Sequence, residues 1–188
     1  ARANSAIVMG VGPDDFADSS VFGGMHFQEM LETQAFELAE GKVPVESYGV
    51  FKSQYEHASE HNPSYNNKSN PLYRALSQQE QDCLCLTDSA AFAPLHSLLP
   101  KKLTEAFLEG MEQFETRIRG FTSEECYVIG LESRTSSPVR ILRDETRESA
   151  IAGLYPTGEG AGYAGGIMSA ATDGIRTAEQ ILKNLKGR

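Results

Sequence analysis

Gly153-Leu154-Tyr155-Pro156-Thr157-Gly158-Glu159-Gly160-Ala161-Gly162-Tyr163-Ala164-Gly165-Gly166 is the stretch on which the fold of this chain turns. Gly153 to Thr157 reads as a short strand. Beyond the glycines, Ile167, Ala171, Ile175, Ala178, Leu182 and Leu185 recur at helical spacing and predict a long helix from about Ala164 to Leu185. Strand, glycine-rich turn and helix in that order present backbone N–H groups and a positive helix end to an anion, with phosphate or pyrophosphate as the natural guest. Each glycine costs roughly 0.5–1 kcal/mol relative to alanine, so their concentration here has a local cause. A tight turn that only packs a helix on a sheet would need the same residues. Gly160, Gly162 and Gly165 spell G-x-G-x-x-G, yet the companion acidic residue about 20 positions on is missing because the helical pattern simply continues. The turn is therefore not the adenosine-binding first motif of a dinucleotide fold.

Upstream, Cys126-Tyr127-Val128-Ile129-Gly130-Leu131-Glu132 and Val139-Arg140-Ile141-Leu142-Arg143 read as strands, separated by the polar turn 133–138. Leu103, Phe107, Met111, Phe114 and Ile118 mark a helix between Pro100 and Gly120. Phe27, Met30, Leu31, Ala35, Leu38 and Ala39 mark another, between Gly23-Gly24 and Gly41. Ser5 to Gly12 reads as a strand around Ala6-Ile7-Val8-Met9. Between residues 42 and 91 the periodicity fades, with a polar loop over Asn62–Pro71 and a short helix around Pro71–Gln81. The expected fold class is α/β, as a mixed α+β fragment.

A net charge of −9 disfavours nucleic acid and anionic membranes as partners. No apolar run approaches the roughly 20 residues of a membrane helix. The three cysteines, Cys83, Cys85 and Cys126, fit neither a disulfide framework nor a four-ligand zinc site, and read as reduced thiols of a cytoplasmic protein or an organelle interior. His57 and His61 are spaced as a metal pair but lack an evident third ligand, so no metal is expected. A start at Ala1-Arg2-Ala3 suggests that further sequence lies upstream.

Two stretches carry a specific likeness. Gly153 through Gly174, preceded by Glu132-Ser133-Arg134-Thr135-Ser136-Ser137-Pro138-Val139-Arg140-Ile141, resembles the C-terminal part of the NAD(FAD)-utilizing family of FAD-dependent dehydrogenases. Asn4-Ser5-Ala6-Ile7-Val8 with Phe27-Gln28, Leu31-Glu32 and Ala35-Phe36-Glu37-Leu38 is similar to the strand and helix that precede those motifs. The resemblance implies an inserted, substrate-type domain over residues 1–150, with a loop near 42–92, and a return segment over 151–188. That segment would supply the closing strand and helix of a Rossmann-type FAD domain. It further implies that Gly158, Glu159, Gly160, Ala161, Gly162, Gly165, Gly166 and Ile167 contact FAD, with Glu159 accepting a hydroxyl hydrogen bond. Arg134, Ser137, Arg140 and Tyr163, with Ser136 beside them, become candidates for the flavin or substrate side. Exposed turn arginines and a packing tyrosine are the plainer readings of the same residues. NADH or NADPH is the candidate electron donor, a small molecule the substrate, and the missing N-terminal half the partner. The competing reading is a non-catalytic folding or interaction module of a larger protein.

Overall fold

The computed structural model describes residues 3–16, 18–61, 73–86, 89–134 and 136–186, without the side chains of 57–61. The expected loop over Asn62–Pro71 and the His57 and His61 side chains lie outside these residues. Two compact units emerge: residues 1–11 with 29–131, and residues 12–28 with 132–188.

The first unit is built around β1 (Val43–Ser47), which pairs in parallel with β2 (Ala90–Phe92) and antiparallel with β3 (Tyr127–Ile129). Val45 lies opposite Phe92 on one side and Ile129 on the other. Helix α1 (Gly23–Leu38) buries Leu31, Ala35 and the following Ala39, spaced four apart as one helical face requires. It ends in a Schellman-type closure, with Gly41 N–H donating to Phe36 O at 2.8 Å. The left-handed step before that closure falls on Glu40, at φ 53°. Helix α2 (Tyr48–His61) follows β1 directly, and α4 (Lys101–Arg117) faces it across the core. Phe51, Phe107, Tyr48, Leu95, Leu98, Met111 and Ala35 form that core, and the Phe51 and Phe107 rings meet edge-on at 5.2 Å. A short helix α3 (Gln78–Cys83) is capped by Ser77 and Glu80.

Several elements differ from the sequence expectation, each for an identifiable reason. β1 and α2 escaped notice because Pro44 and Glu46 interrupt the strand pattern. Pro44 contributes only its carbonyl, which accepts from Gly130 N at 2.7 Å. Glu46 is buried because both carboxylate oxygens are used: His96 donates from its backbone N at 2.9 Å, and its ring Nδ1 lies 2.8 Å away. Residues 5–12 alternate as a strand would, with Ile7 and Met9 against the core and Val8 outward, but no neighbouring strand pairs with them. The apolar stripe of α4 is buried only through Met111, leaving Phe114 and Ile118 exposed.

In the second unit, neither Val139–Arg143 nor Gly153–Thr157 forms a strand, and no hairpin exists between Val139–Arg143 and β3. The polar groups of these segments go to the glycine turn and to side chains instead of a ladder. Helix α5 (Ile167–Lys186) begins after Gly165-Gly166, three residues later than the periodicity suggests. The fold is thus mixed α/β, with one small mixed sheet among the described residues. No helix among the described residues is long and apolar enough to cross a membrane.

Phe51, at 1% exposure, has no room to be replaced without a void. Phe51→Ala is expected to lower the unfolding free energy by about 3–5 kcal/mol, read from chemical denaturation.

Candidate functional site

The glycine turn belongs to the second unit, where it is held from behind by a polar network. Gly158 and Gly162 have φ of 73° and 81°, the left-handed region that favours glycine. Gly162 N–H donates to Glu159 O at 2.8 Å and Tyr163 N–H to Gly158 O at 3.0 Å, which closes the turn on itself. Gly162 is also a close-approach position: a Cβ there would stand 2.6 Å from Val139 O and 3.0 Å from Arg140 Cα.

Asp173, in the second turn of α5, is the hub. Its carboxylate accepts five hydrogen bonds: two from Arg143 at 2.8 and 2.9 Å, and one each from Arg147 at 2.7 Å, Thr157 Oγ1 at 2.9 Å and Gly158 N at 3.0 Å. The Arg143 fork is bidentate, the strongest geometry open to such a pair. The Arg143 hydrogen bonds, helped by those from Gly158, Arg147 and Thr157, hold the Asp173 carboxyl far below the usual carboxylate range. The same pairing pushes the Arg143 guanidinium up. Arg143 also donates to Pro156 O at 2.7 Å, and its guanidinium lies 3.6 Å over the Tyr163 ring. The Arg143 backbone N–H donates to Tyr163 Oη at 3.1 Å.

The sequence-predicted residues separate accordingly. Arg140 donates from Nε to Gly162 O at 2.9 Å and sits 5.0 Å from the Tyr163 ring centre. Ser137 Oγ lies 2.8 Å from Val139 O and 3.2 Å from Gly160 O. Arg140, Ser137 and Tyr163 are therefore brought to the turn, each bonded to it or part of it. Arg134 is exposed on the preceding segment, and Thr135 lies outside the described residues. That segment is tied to α1 by Gln28, whose Nε2 donates to Ser133 O at 2.7 Å. Gly24 approaches Pro138 so closely that a Cβ would stand 2.9 Å away.

On the outer side of the turn, Glu159, Gly160 and Gly165 are exposed, as is Ile167 at 89%. Among the described residues, the amides of Glu159, Gly160, Ala161, Ala164, Gly165, Gly166 and Ile167 have no protein acceptor. Gly158 gives its amide to Asp173, so it shapes the turn without offering a donor outward. Free amides at a helix N-terminus are suited to a phosphate or to a developing negative charge. Asp173, Arg143, Arg147 and Thr157 did not stand out in the sequence. Their one signal was an Asp and a Thr four residues apart, at 173 and 177, on the face of α5 opposite its apolar stripe.

A cavity of about 400 Å³ lies in the first unit, with Glu37, Lys42, Tyr73, Arg74 and Phe92 among its lining. Its arginine is already neutralised by a bidentate pair with Glu80, and none of the turn residues borders it.

Residues 1–135 match the family described as "FAD-dependent protein, C-terminal domain-like", and the chain belongs to that family. A protein of Clostridium beijerinckii, described only as uncharacterized, is 41% identical over 185 residues, which covers 97% of this chain. The chain spans 31% of that relative's length. The family match ends before the glycine turn, whereas the likeness to the longer relative takes in nearly the whole chain.

Two measurements test this geometry. Gly162→Ala is expected to destabilise the second unit by more than about 1 kcal/mol, because it combines a left-handed φ with a steric clash. Gly160→Ala, where a Cβ meets open space, is expected to leave the thermal unfolding midpoint nearly unchanged. The second test is by pH. Because the folded Asp173 carboxyl is depressed below its ordinary 3.8, its contribution to stability is complete above that pH and is withdrawn as the pH falls further. The stability gap between the natural protein and Asp173→Asn, measured by denaturation, is expected to narrow as the pH is lowered below 3.8.

Proposed function

We propose that this chain is the flavin-closing C-terminal portion of a longer FAD-dependent oxidoreductase. The observation that carries this reading is the turn Gly158–Ile167, exposed at Glu159, Gly160, Gly165 and Ile167, where amides lack acceptors among the described residues while Gly158, Gly162 and Tyr163 are held by Asp173, Arg140 and Arg143. Membership of an FAD-dependent C-terminal family supports it. When bound, FAD supplies the two-electron chemistry.

The protein's part is to bind and orient. Gly160, Ala161, Gly165, Gly166 and Ile167 offer backbone N–H groups to the pyrophosphate or to the flavin edge that becomes negative on reduction. Glu159, exposed and beside them, accepts from a ribityl hydroxyl. Gly158 and Gly162 give the turn its path. Arg140 and Tyr163, in contact with each other, flank the turn, with Ser137 bracing it and Arg134 on the approaching segment. NADH or NADPH is the proposed electron donor and a small organic molecule the substrate.

In this reading the return segment 151–188, within the compact unit it shares with residues 12–28 and 132–150, completes a Rossmann-type FAD domain, and the domain inserted before it is made of the remaining residues of 1–150. Helix α5 supports that arrangement. It packs on its own unit through Asp173 and Thr177, whereas Ile175 at 62% and Leu182 at 56% exposure remain uncovered on its apolar side. The rest of a chain of the relative's length would cover them. The same bare stripe is what favours the second reading, a non-catalytic module that serves only to dock on its partner.

Visible absorption of the purified full-length protein separates the two. Bound flavin, lost when Glu159 and Gly162 are both replaced, is the expected result; a colourless full-length protein sinks the oxidoreductase reading. The 188 residues by themselves are expected to retain no FAD, since they carry only part of its binding surface.

A further inference from the structure

Asp173 is largely buried, and the glycine turn is held through its partners. Its carboxylate takes Thr157 and Gly158 where the turn begins, and Arg143 and Arg147 from the segment lying behind it. Arg143 then reaches the far end of the turn through Tyr163, by the ring contact and by its backbone N–H. Arg140, three residues earlier, fixes Gly162 O. The turn is thus clamped at both ends from one carboxylate, and the amides left over are those between and beyond the clamps.

We infer that Asp173 is the positioning residue of the cofactor turn: by holding Gly158 and Arg143 together it fixes the path on which the outward amides are aimed, and so sets cofactor affinity without touching the cofactor. This rests on the flavin-closing reading above. Position and charge predict opposite results here. Two guanidinium groups share one carboxylate, so Asp173→Asn leaves the turn more positive. If the local field governed affinity for an anion, that variant would bind more tightly. If position governs, it binds more weakly, because an amide cannot satisfy a bidentate arginine, a second arginine, a hydroxyl and a backbone N–H at once.

The experiment uses full-length protein, with FAD as the probe and three readouts: FAD affinity by titration of the apoprotein, the midpoint potential of the bound flavin, and amide hydrogen exchange along the chain. For Asp173→Asn we expect affinity to fall by about tenfold or more, the potential to move negative as the reduced flavin loses aligned donors, and exchange to rise within residues 157–167 while residues 29–131 stay protected. Arg147→Gln, which keeps the bidentate Arg143 pair, is expected to give the same pattern at smaller amplitude and guards against a poorly folded first variant. Unchanged or tighter FAD binding in either variant, or an unchanged potential, overturns the inference. So does a loss of protection spread evenly over residues 132–186, which would assign Asp173 to stability alone. Natural protein that binds no FAD removes the functional reading itself; the exchange pattern still tells whether Asp173 holds the turn.

Discussion

One carboxylate carries an unusual share of the second unit. Apart from Phe27, the buried residues there are small or polar: Gly23, Gly24, Pro156, Gly158, Ala161 and Thr177. Apolar burial alone cannot hold such a unit, since many of its large aliphatic side chains, Ile167, Met168, Ile175, Leu182 and Leu185 among them, are exposed. The Arg143–Asp173 pair fills the gap. At 9% and 13% side-chain exposure its charges are largely withdrawn from water, a costly state unless every lone pair is matched. Arg147, Thr157 and Gly158 supply the remaining partners, so the network is satisfied and its geometry is singular. Removing a partner leaves a buried charge; adding a methylene breaks the fork. That closeness of fit fixes the path of the turn while leaving several of its amides without an acceptor among the described residues.

The first unit solves a similar problem differently. Its aromatic core around Phe51 and Phe107 is conventional, but its central strand carries Glu46 inward, where His96 satisfies both oxygens. A single carboxylate there links the sheet to the short turn Leu95–Ser97 that precedes α4. Both units therefore use an acidic side chain to join segments distant in sequence.

This use of polar burial explains what the sequence revealed and what it concealed. α1, α4 and α5 were legible because their apolar residues recur at helical spacing over long windows. β1 was not, because Pro44 and Glu46 are residues that a central strand rarely holds, and tertiary partners make them acceptable. Val139–Arg143 departs in the other sense: its apolar residues suggest a strand, but Ile141 and Leu142 are exposed and its arginines are the residues that bond to the turn and to α5. At the candidate site, the glycines are plain in the sequence, and two of them, Gly158 and Gly162, take the positive φ that glycine allows. Asp173 was hidden because its partners lie between 15 and 30 residues away, and no local pattern encodes such a meeting.

Helix α5 answers to two unrelated sets of demands. Asp173 and Thr177 on one side are fixed by bonds inside their own unit, so drift there is punished by loss of the turn. Ile167, Ala171, Ile175, Ala178 and Leu182 on the other side make no comparable bonds within it, and their apolar character answers to whatever surface they meet. A substitution on one face therefore leaves the bonds of the other untouched. The inner face is tied to Arg143 and Arg147, and the outer face to whatever surface covers it.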